Sequence, residues 1–256
     1  KVVIFLYLSI LIVVCSFLFY MFFLHRTKSF FTQNKKLIDK TPEDYKIVYE
    51  KVYFNSVDGI ELVGWFIPSR TESDTTLIIT HKDGQTKSDA LSWSVELSER
   101  FNLLYFDFRG CGESKGDFFS YGVEEIKDIE GAIRFLRDFR DEFARNIVLF
   151  VYGSVGFCVL KHFRRRDDRV KVVVYEPIED ICNYIAGKLR RTFFVPFASF
   201  FIKKFINTDF LARDDFRFKK DDVFIFSMTK FYDFETFSIK EEGEVKKKLI
   251  EIALNI

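Results

Sequence analysis

The N-terminal segment restricts the possible fold more than any other feature of this chain. Residues 2–24 carry no charged side chain, and Ser9 and Ser16 are their only small polar residues. A helix of this length spans about 34 Å, enough to cross a hydrocarbon core about 30 Å thick. A cleaved signal peptide has a shorter apolar stretch ending in small residues, whereas this one ends in the bulky residues 20–24. We therefore predict that residues 1–28 form a transmembrane anchor whose partner is membrane lipid.

The charges that follow the anchor predict its orientation. Residues 29–44 are polar and basic and are expected to form a juxtamembrane linker before a main domain at 45–256. Only Lys1 precedes the apolar segment, whereas five basic residues follow it: Arg26, Lys28, Lys35, Lys36 and Lys40. The positive-inside rule then predicts a single-pass membrane protein with its soluble domain in the cytoplasm.

Composition argues against several classes of function. The chain has 39 basic and 38 acidic residues, a net charge of +1, which lacks the basic excess that nucleic-acid binding needs. Its four cysteines, at positions 15, 111, 158 and 182, show no CxxC spacing. We predict no disulfide framework, no metal site, no cofactor and no nucleic-acid partner.

Strand-like and helix-like segments alternate along the main domain. Short apolar, β-branched runs predict strands at 46–55, 60–67, 75–80, 103–108, 146–152, 170–175, 223–228 and 248–253. Helical spacing of apolar residues predicts helices at 87–100, 123–140, 155–164 and 235–247. This order predicts an α/β fold, a mainly parallel sheet with helices on both faces.

One long segment breaks the alternation. Residues 177–222 are rich in Phe and mixed with Lys and Arg, and they are too long for an ordinary connection. We expect a helical insertion or lid there, and its Phe side chains suggest an apolar small-molecule ligand.

Polar and glycine-rich segments follow several of the predicted strands, where the chemistry of such a sheet is found. The best defined are residues 58–68 (DGIELVGWFIP), residues 106–116 (FDFRGCGESKG) and Gly153-Ser154-Val155-Gly156. With these segments the chain resembles the α/β-hydrolases, in particular their membrane-anchored, serine-aminopeptidase-like branch, from about Tyr45 onward. The resemblance implies an α/β-hydrolase fold with a twisted sheet. It also implies a Ser-Asp-His triad that hydrolyses esters, amides or lipids, as in an esterase, lipase or peptidase-like enzyme.

The resemblance assigns candidate roles at two glycine-containing turns. Ser154 matches the nucleophile, Gly156 a small structural residue after it, and the N–H groups of Asp83 and Val155 the oxyanion hole. Tyr152 stands where the family has Gly.

The remaining matched positions are implied to be structural. His81, Asp107, Arg109, Gly110 and Gly112 correspond to residues that hold the family's loops in place. Lys82 departs from the pattern, because it replaces a glycine of the oxyanion-hole segment.

The acid and the base of the triad are not matched. Phe231 falls at the position of the acid. The remaining candidates for the acid are Asp233, two residues later, and Glu176. The family's His follows its last strand, but no His follows His162, which is about 12 Å along a helix from Ser154. The family's final helix is also expected to be missing.

Three hypotheses remain. The favoured one is a degenerate hydrolase with a binding or scaffold role, because the triad His and Asp are missing. The alternatives are an active serine hydrolase using Ser154 with an unconventional base such as Lys230, and a sequence that stops short of an active enzyme's His.

Overall fold

The computed structural model describes residues 2–32, 35–162, 169–178, 184, 223–226, 236–237 and 242–255. The strands are β1 (Glu50–Asn55), β2 (Glu61–Ile67), β3 (Thr75–Ile79), β4 (Asn102–Phe106), β5 (Asn146–Tyr152), β6 (Val170–Tyr175), β7 (Val223–Phe226) and β8 (Thr236–Phe237). The helices are α1 (Val2–Phe31), α2 (Ser94–Leu97), α3 (Glu125–Phe139), α4 (Gly153–His162) and α5 (Glu242–Leu254). Short 3₁₀ helices span Pro42–Tyr45, Lys87–Trp93 and Asp141–Phe143.

The strands form one mixed sheet in the order β1-β2-β4-β3-β5-β6-β7-β8. The pairs β1–β2 and β2–β4 are antiparallel, and the others are parallel. The predicted α/β class is confirmed. Ile79 lies opposite Tyr105 on β4 and Phe150 on β5. The parallel register therefore brings the carboxyl ends of β3, β5 and β6 to one edge of the sheet.

Two hydrophobic layers cover the sheet, one on each face. Leu104 and Phe106 of β4 point to the layer that contains α3 and α4. Leu103 and Tyr105, the alternate residues, point to the layer that contains the Lys87–Trp93 segment, α2 and α5. Because successive side chains of a strand point to opposite faces, the uninterrupted apolar runs predict a sheet covered on both sides.

The C-terminal segment is a helix, so the strand predicted at 248–253 is wrong. Buried Val245, Leu249, Ile252 and Ala253 recur at helical spacing and pack α5 against the sheet. A short apolar run does not distinguish a strand from a buried helix, which explains the error. The expectation that the final helix is missing is also wrong, and the helix predicted at 235–247 gives way to β8 and the first turns of α5.

Two other predicted helices have different boundaries. The segment 87–100 is a 3₁₀ helix followed by the one-turn helix α2. The helix predicted from Val155 begins two residues earlier, at Gly153, and is described to His162. Of the proposed insertion at 177–222, the structure describes only Pro177, Ile178 and Tyr184.

Helix α1 is longer than the predicted anchor, and its last residue touches the domain. Side chains from Ile4 to Phe22 are exposed, with a mean hydropathy of 2.5, and the helix could cross a membrane by length and composition. An N-terminal signal sequence has the same properties. Phe31 is buried against the ring of Tyr121, and its carbonyl accepts a hydrogen bond from the Phe119 N–H.

Candidate functional site

The turn between β5 and α4 is the centre of the candidate site. Gly153, the first residue after β5, has a φ of +55°, in the left-handed region that favours glycine. Ser154 follows in the first turn of α4, with 4% of its surface exposed. A Cβ atom added to Gly153 would approach only the Ile178 Cδ1, at 3.6 Å, so position 153 has room for a side chain. The strained position of the turn is therefore Gly153 rather than Ser154.

The rest of α4 lies very close to its neighbours. A Cβ on Gly156 would come within 2.4 Å of a Val174 methyl carbon on β6. A Cβ on Gly122 would come within 2.9 Å of the Ser154 carbonyl oxygen. Small residues at these two positions let the helix start directly against the sheet and against the loop that precedes α3.

The loop after β3 is held by His81. Its Nε2 accepts a hydrogen bond from the Phe108 N–H at 3.1 Å, and its Nδ1 lies 2.8 Å from the Lys82 carbonyl oxygen, to which it donates. Burial lowers the pKa of His81, which keeps the ring neutral. With both nitrogens bonded in this way, the ring has no free lone pair for a Ser154 proton.

The loop residues after His81 form one wall of a pocket of about 270 Å³. The Lys82 ammonium lies 5.0 Å from the centre of the Tyr152 ring and 5.4 Å from that of Tyr175. Asp83 accepts a 3.3 Å hydrogen bond from the Tyr184 hydroxyl. The pocket is also lined by residues of the β5–α4 turn and the end of β6, namely Gly153, Ser154, Val155, Glu176 and Ile178.

The turn after β4 is organised around Asp107, which is fully buried. Its carboxylate accepts hydrogen bonds from the N–H of Lys87 at 2.8 Å and of Glu113 at 3.0 Å, and from the Lys87 ammonium. A Cβ on Gly112 would overlap this carboxylate at 2.3 Å. Gly112 and Gly110 both have positive φ, so the turn needs glycine at both positions.

Arg109 connects the same turn to two other segments. Its guanidinium donates two hydrogen bonds to Asp58, at 2.7 and 3.0 Å, and two to Asp128, at 2.6 and 2.9 Å. Although partial burial opposes the effect, Arg109 holds the pKa of Asp58 below its ordinary value. These contacts give Asp107 and Arg109 a structural part in the fold and keep both away from the pocket lining.

The candidate acids differ in what the structure says of them. Asp233, Phe231 and Lys230 lie outside the described residues. Glu176 lines the pocket at the end of β6, with a left-handed backbone (φ +50°) that is unusual for a residue other than glycine.

The last described strand is followed by α5 rather than by the chain end that the sequence analysis expected. β8 ends at Phe237 and α5 begins at Glu242, and the residues between them, with the sequence Ser-Ile-Lys-Glu, lie outside the described residues. The side chains that the structure describes include no group of three or more His, Cys, Asp or Glu residues that could hold a metal ion.

Sequence reasoning missed three parts of the site. The sequence analysis assigned no role to Gly153, although a glycine directly after a buried strand is a signal for a left-handed turn. Tyr175 and Tyr184 were not singled out, since nothing in their local sequence shows that they meet Lys82 and Asp83 across the sheet edge.

Comparison with known proteins gives distant relatives. No family model matches the chain. It is 34% identical over 133 residues to the uncharacterized protein YfhR of Escherichia coli K12, covering 50% of this chain and 46% of that protein. It is 27% identical over 168 residues to the α/β-hydrolase domain-containing protein WAV2 of Arabidopsis thaliana, covering 63% of this chain and 51% of that protein. The matches thus span about half the length of these relatives.

Solved structures resemble the chain more completely. The esterase Pf2001 of Pyrococcus furiosus superposes with a TM-score of 0.63 at 16% identity, covering 88% of this chain and 97% of the esterase. The esterase EaEST of Exiguobacterium antarcticum superposes with a TM-score of 0.51 at 14% identity, covering 80% of this chain and 100% of the esterase. Together with the strand order and the glycine turn after β5, these likenesses show that the chain has the α/β-hydrolase fold.

Proposed function

We propose that this protein is a membrane-anchored α/β-hydrolase-fold protein that binds a small ligand in the pocket beside α4 and does not hydrolyse it by Ser-His-Asp chemistry. The observation that carries the proposal is the left-handed backbone of Gly153. In a nucleophile elbow, the strained turn exposes the hydroxyl of the serine that occupies it. Here the strained residue has no side chain, and Ser154 lies one residue later, almost fully buried.

The histidines of the chain support the same conclusion. His25 lies in α1. In His81, Nε2 accepts a hydrogen bond and Nδ1 donates one, so both nitrogens are engaged. His162 lies at the far end of α4, eight residues from Ser154, or about 12 Å along a helix. A general base must lie within about 3 Å of the hydroxyl whose proton it accepts, and a serine without a base is a poor nucleophile.

The anchor and its orientation form part of the proposal. The exposed apolar helix α1 supports attachment to the membrane, and the basic residues that follow it support a cytoplasmic domain. A binding or scaffold role does not require an acid and a base beside Ser154.

A second candidate is an active serine hydrolase that uses Ser154. One observation favours it: Ser154 lines the pocket together with Lys82 and Asp83, and no hydrogen bond joins its hydroxyl to the residues that the structure describes. Such an enzyme needs an unconventional base, on the pattern of Ser-Lys hydrolases. Lys230, the base considered from the sequence, lies outside the described residues.

A matched pair of cysteine variants tests which position faces the pocket. Gly153→Cys and Ser154→Cys are made in the full chain carrying Cys15→Ser and Cys182→Ser. Burial raises the pKa of the remaining Cys111 and Cys158 thiols, so they react slowly. We expect iodoacetamide to modify position 153 at least about tenfold faster than position 154. Equal rates, or a faster rate at position 154, would contradict the assignment of Gly153.

A fluorophosphonate probe tests the chemistry directly. We expect the unmodified chain to show no more labelling than the Ser154→Ala variant, and to leave short acyl esters unhydrolysed. Labelling at a rate typical of serine hydrolases, abolished by Ser154→Ala, would replace the binding proposal with the second candidate.

A further inference from the structure

We infer that the pocket beside α4 binds the carboxylate end of an unbranched fatty acid, with Lys82 as its counter-ion. The inference rests on the proposed function, because a free acid has no ester or amide bond to hydrolyse. It adds a ligand class, which follows from the cation, the helix start and the apolar side chains that line the same pocket.

The cation in the pocket lining is held in place by aromatic rings. The rings of Tyr152 and Tyr175 meet edge to face at 5.5 Å, and the Lys82 ammonium lies over both. Among the residues that the structure describes, no carboxylate forms an ion pair with Lys82. Its N–H donors are therefore available to an anion, while the rings limit the positions that its side chain adopts.

The start of α4 adds donors on the same side of the pocket. Gly153, Ser154 and Val155 line the pocket, and the first N–H groups of a helix have no acceptor within the helix. The helix dipole also favours negative charge at this end. Ser154 lines the pocket and its hydroxyl has no hydrogen-bond partner among the described residues, so it supplies a further donor.

Two acidic residues in the pocket lining suggest the alternative that the ligand is an amine. Asp83 accepts a hydrogen bond from Tyr184, and Glu176 stands at the end of β6. An amine would bind best over the faces of tyrosine rings, but Lys82 already covers those of Tyr152 and Tyr175. The arrangement therefore favours an anion.

Apolar surface also lines the pocket and lies close to the end of α1. Its apolar contributors are Val155, Ile178 and the Tyr184 ring. The Tyr184 ring packs on Tyr121 at 6.0 Å, and Tyr121 packs on Phe31, the last residue of α1, also at 6.0 Å. Two ring contacts thus separate the pocket from the end of the apolar helix. A ligand that leaves the bilayer with its tail trailing would suit this arrangement.

The size of the pocket is consistent with part of such a molecule. Ligand pockets usually hold about 300–1,000 Å³, and this one holds about 270 Å³. It has room for the carboxylate and the first part of an acyl chain.

Photo-crosslinking in the full chain tests the inference. The probe is a palmitate analogue with a diazirine in its chain and a terminal alkyne, added to protein in dodecylmaltoside. We expect crosslinks on peptides that contain Ile178 or Tyr184. Decanoate should compete at least about tenfold better than decanol or decylammonium, since only decanoate presents a carboxylate to the Lys82 ammonium.

Variants at the cation sharpen the test. Lys82→Met should weaken crosslinking about tenfold, and Lys82→Arg should retain most of it, because Arg keeps the charge. Lys115→Met is the matched control, since Lys115 is exposed and pairs with Glu61 away from the pocket. Crosslinking equal to wild type in Lys82→Met, or stronger competition by decylammonium, would overturn the inference.

The two proposals fail in different ways. If decanoate does not compete and the fluorophosphonate leaves Ser154 unlabelled, the fatty-acid inference is wrong and the binding role stands. If the fluorophosphonate labels Ser154 and Ser154→Ala abolishes labelling, the binding role itself is wrong.

Discussion

Two turns at the same edge of the sheet differ sharply in how their polar groups are used. In the turn after β4, the buried Asp107 and Arg109 are bonded to partners from several segments. In the turn after β5, Gly153 has no side chain, and the Ser154 hydroxyl has no hydrogen-bond partner among the described residues. The first turn is tied to the fold through buried charged side chains, whereas the second is held through its backbone, since the Gly153 carbonyl accepts a hydrogen bond from the Ile178 N–H.

This difference predicts how the two turns respond to substitution. A buried charge that loses its partner costs several kcal/mol, so a change in the first turn weakens the whole domain. A side-chain change at the β5–α4 turn removes no such charge and should leave the fold intact.

The largest expected difference between the two turns is in stability. Asp107→Ala leaves the fully buried Lys87 ammonium without its main partner, and we expect a loss of about 3–5 kcal/mol in the free energy of unfolding. Ser154→Ala should change it by less than about 0.5 kcal/mol. Urea unfolding of the full chain in detergent, followed by tryptophan fluorescence, measures both.

Asp117→Ala is the control for the first turn, because Asp117 is exposed in the same loop. It should behave like Ser154→Ala. A loss in Ser154→Ala as large as that in Asp107→Ala would show that the two turns do not differ in this way.

A second prediction compares the glycines of the two turns. In Gly112→Ala the new Cβ overlaps the Asp107 carboxylate, and the alanine must keep a backbone with positive φ. We therefore expect the free energy of unfolding to fall by about 3 kcal/mol. In Gly153→Ala only the backbone strain remains, because the nearest atom is 3.6 Å away, and we expect about 1 kcal/mol. The same unfolding measurement applies, and equal losses would contradict the open space assigned to position 153.

A third prediction concerns Glu125, which holds the loop that precedes α3. Burial raises the pKa of Glu125 to about 7, although hydrogen bonds from Ser120 and Gly122 oppose the shift. Gly122 in turn packs against the Ser154 carbonyl. Because the folded chain holds this proton more tightly than the unfolded chain, its contribution to stability is full below about pH 4.5. It is lost as the pH rises through about 7.

The effect is isolated by comparing wild type with Glu125→Gln, which cannot ionise. Between pH 5.5 and 8 the wild type should lose on the order of 2 kcal/mol relative to the variant. An identical pH dependence in the two proteins would show that Glu125 is ionised throughout this range.

Several elements could be predicted from sequence because their signals are local. The buried strands β3 to β6 are short, continuous apolar runs, and α3 shows helical spacing with its buried face. The glycines at 110 and 112 indicated a tight turn. The error at α5 arose because the run Leu249–Ile252 is too short to distinguish a helix from a strand.

The site was harder to predict because it depends on contacts between distant segments. The string Gly153-Ser154 fits an elbow with Ser154 at its centre, and only the backbone shows that Gly153 holds the left-handed position. Tyr184 lies 101 positions from Asp83 in sequence, yet its hydroxyl bonds that carboxylate. No local pattern encodes such a pair.

The sequence alone determined the apolar N-terminal helix, the α/β class and the glycine-rich turns, since each follows from side-chain periodicity or from a backbone conformation that glycine permits. The tertiary structure decided which residue occupies the strained turn, where the last helix packs and which rings hold Lys82. These depend on register across the sheet. Shifting a strand end by one residue exchanges Gly153 for Ser154 at the strained turn and turns neighbouring side chains to the opposite face.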